Sequence, residues 1–150
     1  MVIKDELVKV NVFEGLSESQ LEKIVDITDV VLYEEGQEIH HESSNAKHLF
    51  VLTKGEVHLQ VQLSSHNQQV TVGMINQANQ CFGWSGVIAP HYYTATAICR
   101  KESEVLVIDG QELLDILESE PIIGFRIIKG IAQIISSRLR NCRMALLKTM

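Results

Sequence analysis

Residues 57 to 99 contain no Asp, Glu, Lys or Arg, and within them Gly83-Trp84-Ser85-Gly86 precedes Tyr93-Thr94-Ala95. A ligand held there must be gripped by backbone amides, hydroxyls, aromatic rings or histidines. Gly83 and Gly86 let the bare backbone approach a ligand. Ser85 and Thr94 add hydroxyls, and Trp84 and Tyr93 offer flat apolar faces that stack on a ligand or fill a pocket. Gly and Ser also favour turns for reasons unrelated to binding. The chemistry on offer is recognition of a small anionic or polar molecule. Nothing resembles a nucleophile–base pair, a metal triad or paired carboxylates, so no catalytic residue and no enzyme activity are expected.

The remaining reactive side chains are scattered. His40 and His41 adjoin on an expected strand, so they point to opposite faces and form no site alone. His48, His58, His66 and His91 lack ligand spacing, and no metal site is expected. Cys81, Cys99 and Cys142 are odd in number and far apart, which argues against a disulfide framework. It argues equally against an iron–sulfur cluster held by four thiolates.

Regular elements must position these residues. Ser17 with Gln20 makes a capping box and Leu16 with Leu21 a hydrophobic staple. The helix they open, over about 17–28, puts Leu21, Ile24, Val25 and Thr28 on one face. From about 29 to 108 the pattern alternates instead. Val30–Tyr33, His48–Leu52, Val57–Leu63, Val70–Val72, Thr94–Ile98 and Val105–Ile108 read as strands, with a polar turn at Ser64–Asn67. Many short strands with glycine turns, bracketed by helices, predict a mainly β fold: a β-roll of jelly-roll type with helices at its ends. Asp109 and Glu112 start a further helix, and Pro121 suits the first turn of another. In that last helix Ile128, Ala132, Ile135, Leu139, Cys142 and Leu146 recur at spacings of four and three, the seam along which two helices pack. The helical region spans about 110–147.

At 150 residues the chain is expected to form a single domain, 1–150. No apolar run is long enough for a membrane span, and the charged start does not suit a signal peptide, so a cytoplasmic location is expected. Net charge is −6, unevenly spread. All nineteen acids lie before residue 121, while six of the thirteen bases, from Arg126 to Lys148, follow it.

The ordered set Phe13-x-x-Leu16, Gly36-x-x-Ile39, Gly55-x-Val57, Phe82-Gly83 and Thr94-Ala95-Thr96-Ala97 resembles the cyclic nucleotide-binding domain of catabolite activator and Fnr-type regulators, protein kinase A regulatory subunits and cyclic-nucleotide-gated channels. The resemblance runs from about Val12 to Leu147. It implies a phosphate-binding cassette from Phe82-Gly83 to Thr94-Ala95, with a short helix opened by Ser85 and Gly86 and running to about Ala89. In the family a Glu after the Gly accepts the ribose hydroxyl, and an Arg before the Ser/Thr-Ala unit pairs with the cyclic phosphate through its planar fork. Those positions are Trp84 and Tyr93, so both charged contacts are gone, and the uncharged window holds no replacement cation. The family also lids the pocket with its long helix, where Asn141 and Cys142 are the candidates. The resemblance implies a regulatory sensor of a cyclic nucleotide or other small anionic ligand, with weak or altered nucleotide specificity, homodimeric through the last helix. The alternatives are a ligand-free dimerisation or docking scaffold, or the sensor part of a transcription regulator. Direct DNA binding is not expected without an additional helix-turn-helix domain.

Overall fold

The computed structural model describes residues 2–63 and 68–148; the turn read at Ser64–Asn67, with His66, lies outside them. Helices α1 (Ile3–Leu7) and α2 (Glu18–Val25) flank a single 3-10 turn at Asn11–Phe13. The α2 capping box forms as read: Ser17 Oγ accepts from the Gln20 N–H at 3.2 Å, and Gln20 Oε1 accepts from the Ser17 N–H at 2.7 Å. The helix stops at Val25, three residues before the expected end. Thr28 opens a strand instead, its hydroxyl donating to the Ile24 carbonyl at 2.6 Å, a bond that helps turn the chain out of the helix.

Eight strands follow among the described residues: β1 (Thr28–Tyr33), β2 (Glu38–His40), β3 (His48–Lys54), β4 (Val57–Leu63), β5 (Gln68–Ile75), β6 (Cys81–Phe82), β7 (Thr96–Cys99) and β8 (Ser103–Asp109). They form two antiparallel sheets, ordered β1-β8-β3-β6 and β2-β7-β4-β5. The expected strand over Thr94–Ile98 begins only at Thr96, because the chain bends through Thr94 and Ala95. Strand β3 is an unbroken apolar run because both its faces are covered. Leu49 and Val51 face a core shared with the helices, together with Phe13, Ile24, Leu106, Leu113, Ile127 and Ile131. Phe50 and Leu52 face the interior of the roll, with Val57, Leu59, Ile75, Phe82 and Tyr93.

After the roll come α3 (Gly110–Ser119), capped by Asp109, and α4 (Pro121–Leu147), with Pro121 in its first turn. Helix α4 buries Ile123, Ile127 and Ile131 against the chain's own core. The expected seam divides here. Cys142 and Leu146 pack on the edge of the roll and Ile135 on the helix-side core, whereas Ile128 and Leu139 remain 38% and 69% exposed. Three close backbone approaches tie the parts together. A Cβ on Gly86 would strike the His48 carbonyl, one on Gly110 the Gly86 carbonyl, and one on Gly124 the Leu117 carbonyl.

Candidate functional site

Gly83 ends β6 with φ +76°, and a Cβ there would lie 2.6 Å from the Phe50 ring. Both facts demand glycine. The next residues, Trp84–Gly86, make one 3-10 turn, not the helix to Ala89 that the sequence suggests, and one turn gives little dipole to hold an anion. Backbone bonds lash this segment to residues 43–46: Ala46 N–H donates to the His91 carbonyl at 2.7 Å, Ser43 N–H to the Tyr93 carbonyl at 2.8 Å, and Tyr93 N–H to the Ser44 carbonyl at 3.1 Å.

Tyr93 turns its ring into the roll, where it is 6% exposed. Its hydroxyl donates to the His48 carbonyl at 2.9 Å and accepts from the His48 N–H at 3.2 Å. Burial raises its pKa, opposed by the His48 and Lys47 backbone. His40, from β2, stacks on this ring at 4.0 Å and 12°. Phe50 and Phe82 stack beyond at 5.3 Å. Neither His40 ring nitrogen meets a partner in hydrogen-bonding geometry. Burial lowers its pKa to about 4, with the Ala95 backbone pulling weakly the other way. The imidazole is therefore neutral at neutral pH.

Gly83, Trp84, Ser85, Tyr93, Thr94 and Ala95 line one cleft with His40 and Leu59. The sequence thus brings six of its ten candidates together. The cleft holds only about 20 Å³, room for roughly one water molecule. Phe82 sits behind it in the ring stack, and Gly86 behind it against the His48 backbone. Trp84 is half-buried and packs towards the helix-side core, so Tyr93 alone of the two rings fills the roll. Thr94 is exposed at the rim, whereas Ser85 is buried, as is Thr96, whose hydroxyl accepts from the Glu42 N–H at 3.0 Å. Asn141 is exposed, Cys142 packs on the roll's edge, and neither lines the cleft. His40 and Leu59 were not among the candidates; alternation with His58 and Gln60 marked Leu59 as inward-facing, and His40 carried no signal beyond pointing away from His41. A wider groove of about 520 Å³ lies over the outer side of the cassette, lined by Glu42, Ser43, Trp84, Ile88, Pro90 and Tyr92 among others.

Residues 30–120 match the family model described as the cyclic nucleotide-binding domain. The cGMP-dependent protein kinase egl-4 of Caenorhabditis elegans is 28% identical over 117 residues, 75% of this chain, which spans only 15% of that kinase. A Geobacter metallireducens protein provisionally assigned as cyclic nucleotide-binding superposes with a TM-score of 0.80 at 27% identity, covering 93% of this chain and 99% of its own. A cyclic nucleotide-binding domain of Methylobacillus flagellatus gives 0.81 over 99% of this chain and 84% of its own; at 15% identity this likeness concerns the fold.

Proposed function

The chain belongs to the cyclic nucleotide-binding domain family, and on that premise we propose that it is a regulatory sensor domain whose ancestral nucleotide site is closed. The observation that carries this reading is the Tyr93 ring. It stands at the position that the resemblance assigns to the family's phosphate-pairing arginine, and it is bonded at its tip to both backbone groups of His48. His40 seals it from the other side at 4.0 Å. Losing a hydrogen bond to a charged group removes roughly 1.5–3 kcal/mol, so losing the family's Glu and Arg contacts together weakens nucleotide binding by about two to four decades. Micromolar affinity becomes millimolar. Titration calorimetry with cyclic AMP and cyclic GMP is expected to show no saturable heat below about millimolar ligand. A low-micromolar dissociation constant for either would overturn the proposal.

A second reading, a dimerisation scaffold without ligand, draws on the outer face of α4. Phe125, Ile128, Ala132 and Leu139 run along it at spacings of three, four and seven. Phe125 and Leu139 are 68% and 69% exposed. A seven-residue apolar repeat left on an outer face suits a like helix, and in this reading the occupant is a second copy of this chain. Light scattering is expected to give a dimer at tens of micromolar for the native chain and a monomer for Leu139→Glu. A native monomer at that concentration would rule the dimer out.

A further inference from the structure

Arg138 stands where α4 asks for an apolar side chain. It continues the buried stripe Ile127, Ile131, Ile134 by one further step of four, and its stem lies over β5, where a Cβ on Gly73 would approach Arg138 Cδ to 3.7 Å. The guanidinium reaches the middle of the uncharged window, beside Cys81 and Asn79. Its Nε is buried and has no hydrogen-bond partner, and the same is true of Asn79 Oδ1. Cys81 does not neutralise it, since complete burial pushes that thiol up to about 12 and keeps it uncharged. Among the described residues Arg138 makes no ion pair. Arg138 as a whole is part-buried, but a covered Nε and a covered amide oxygen without bonds are costly to leave so.

Both groups line a cleft of about 360 Å³ between α4, the segment Lys9–Val12 and the turn Gln77–Cys81. The lining holds two cations, Lys9 and Arg138, and no carboxylate. Lys9 has only a long contact, 3.9 Å, to Glu6. Asn11 and Ser137 add polar groups at the rim. The volume suits a small metabolite, and a guanidinium beside an ammonium suits an oxyanion. We propose that this junction, outside the roll, is a binding site for a small molecule carrying a carboxylate or phosphate group, held between Arg138 and Lys9. The site does not depend on whether the roll admits a nucleotide.

The test is titration of the whole chain with sodium phosphate and, separately, sodium succinate, against sodium chloride of equal ionic strength. Melting temperature and backbone amide NMR shifts are read together. One of the two anions is expected to raise the melting temperature saturably and to move the amides of Asn79, Gln80 and Ser137. Which anion does so identifies the preferred head group. Arg138→Gln is expected to weaken binding roughly ten- to hundredfold, the loss of a charge-assisted bond. Lys9→Gln, at an exposed position that does not threaten folding, is expected to weaken it about two- to fivefold. No saturable effect from either anion would overturn the site, leaving water to satisfy Arg138 and Asn79. So would unchanged binding in Lys9→Gln together with amide shifts at residues 83–95, which would place the ligand in the cassette instead.

Discussion

The interior of the roll and the junction outside it solve opposite problems with neighbouring stretches of one chain. Inside, the space is occupied by stacked rings, with the Tyr93 hydroxyl bonded to both backbone groups of His48. Outside, α4 brings a cation against the middle of the same uncharged window, with its Nε covered and unbonded. Apolar rings can be buried without any partner, whereas a buried charge cannot be left alone without penalty. In the proposed reading the silent surface is therefore the cassette, and the surface that takes a ligand is the junction beside Arg138.

That contrast can be broken at the cassette. Trp84→Glu with Tyr93→Arg returns both charged contacts and removes the ring that fills the roll, so affinity for cyclic AMP or cyclic GMP is expected to rise by about two to four decades in calorimetry. An unchanged affinity would mean that His40 and the phenylalanine stack close the roll without Tyr93. A smaller effect sharpens the same comparison through His40. Its folded pKa of about 4 lies below the ordinary 6.5, so the folded state binds fewer protons than the unfolded state between those values. Stability from this group is complete above pH 6.5, falls as pH drops towards 4, and levels off below it. By pH 4 the native chain is expected to lose about 3 kcal/mol more than His40→Phe in denaturant unfolding. Parallel pH profiles of the two proteins would show that the imidazole is hydrated.

Much of this architecture was legible in the residues. The capping box at Ser17 and Gln20, the alternation in β4 and the apolar run of β3 each express a local rule, and the structure follows them. The order of glycine landmarks also brought Gly83–Ser85 and Tyr93–Ala95 to one place, and the structure sets them around one cleft. Three things were not legible, each because it depends on tertiary contact. The 3-10 turn at Trp84–Gly86 is set by how tightly Gly86 must approach β3, not by helix propensity. The direction of Tyr93 is set by a hydroxyl bond to His48, 45 residues away in sequence. Arg138, which packs beside Cys81 of the uncharged window, is supplied by a helix remote in sequence, so a search for charge within the window could not find it. Half of the heptad seam was likewise claimed by the chain's own core, since one spacing serves a fold-back helix and a dimer equally well.

The glycine approaches at Gly86, Gly110 and Gly124 make the molecule mechanically geared. Backbone pressed on backbone has no rotamer with which to yield. The cassette turn, the head of β3 and the start of α3 consequently move as one stiff body, and the Leu117–Gly124 contact hands any tilt of α3 to α4. Helix α4 is a lever of 27 residues, about 40 Å long. A tilt of about 5° at its Pro121 end sweeps the far end through roughly 3.5 Å. The packing of Ile127, Ile131, Cys142 and Leu146 on the core and the roll opposes that sweep along the helix.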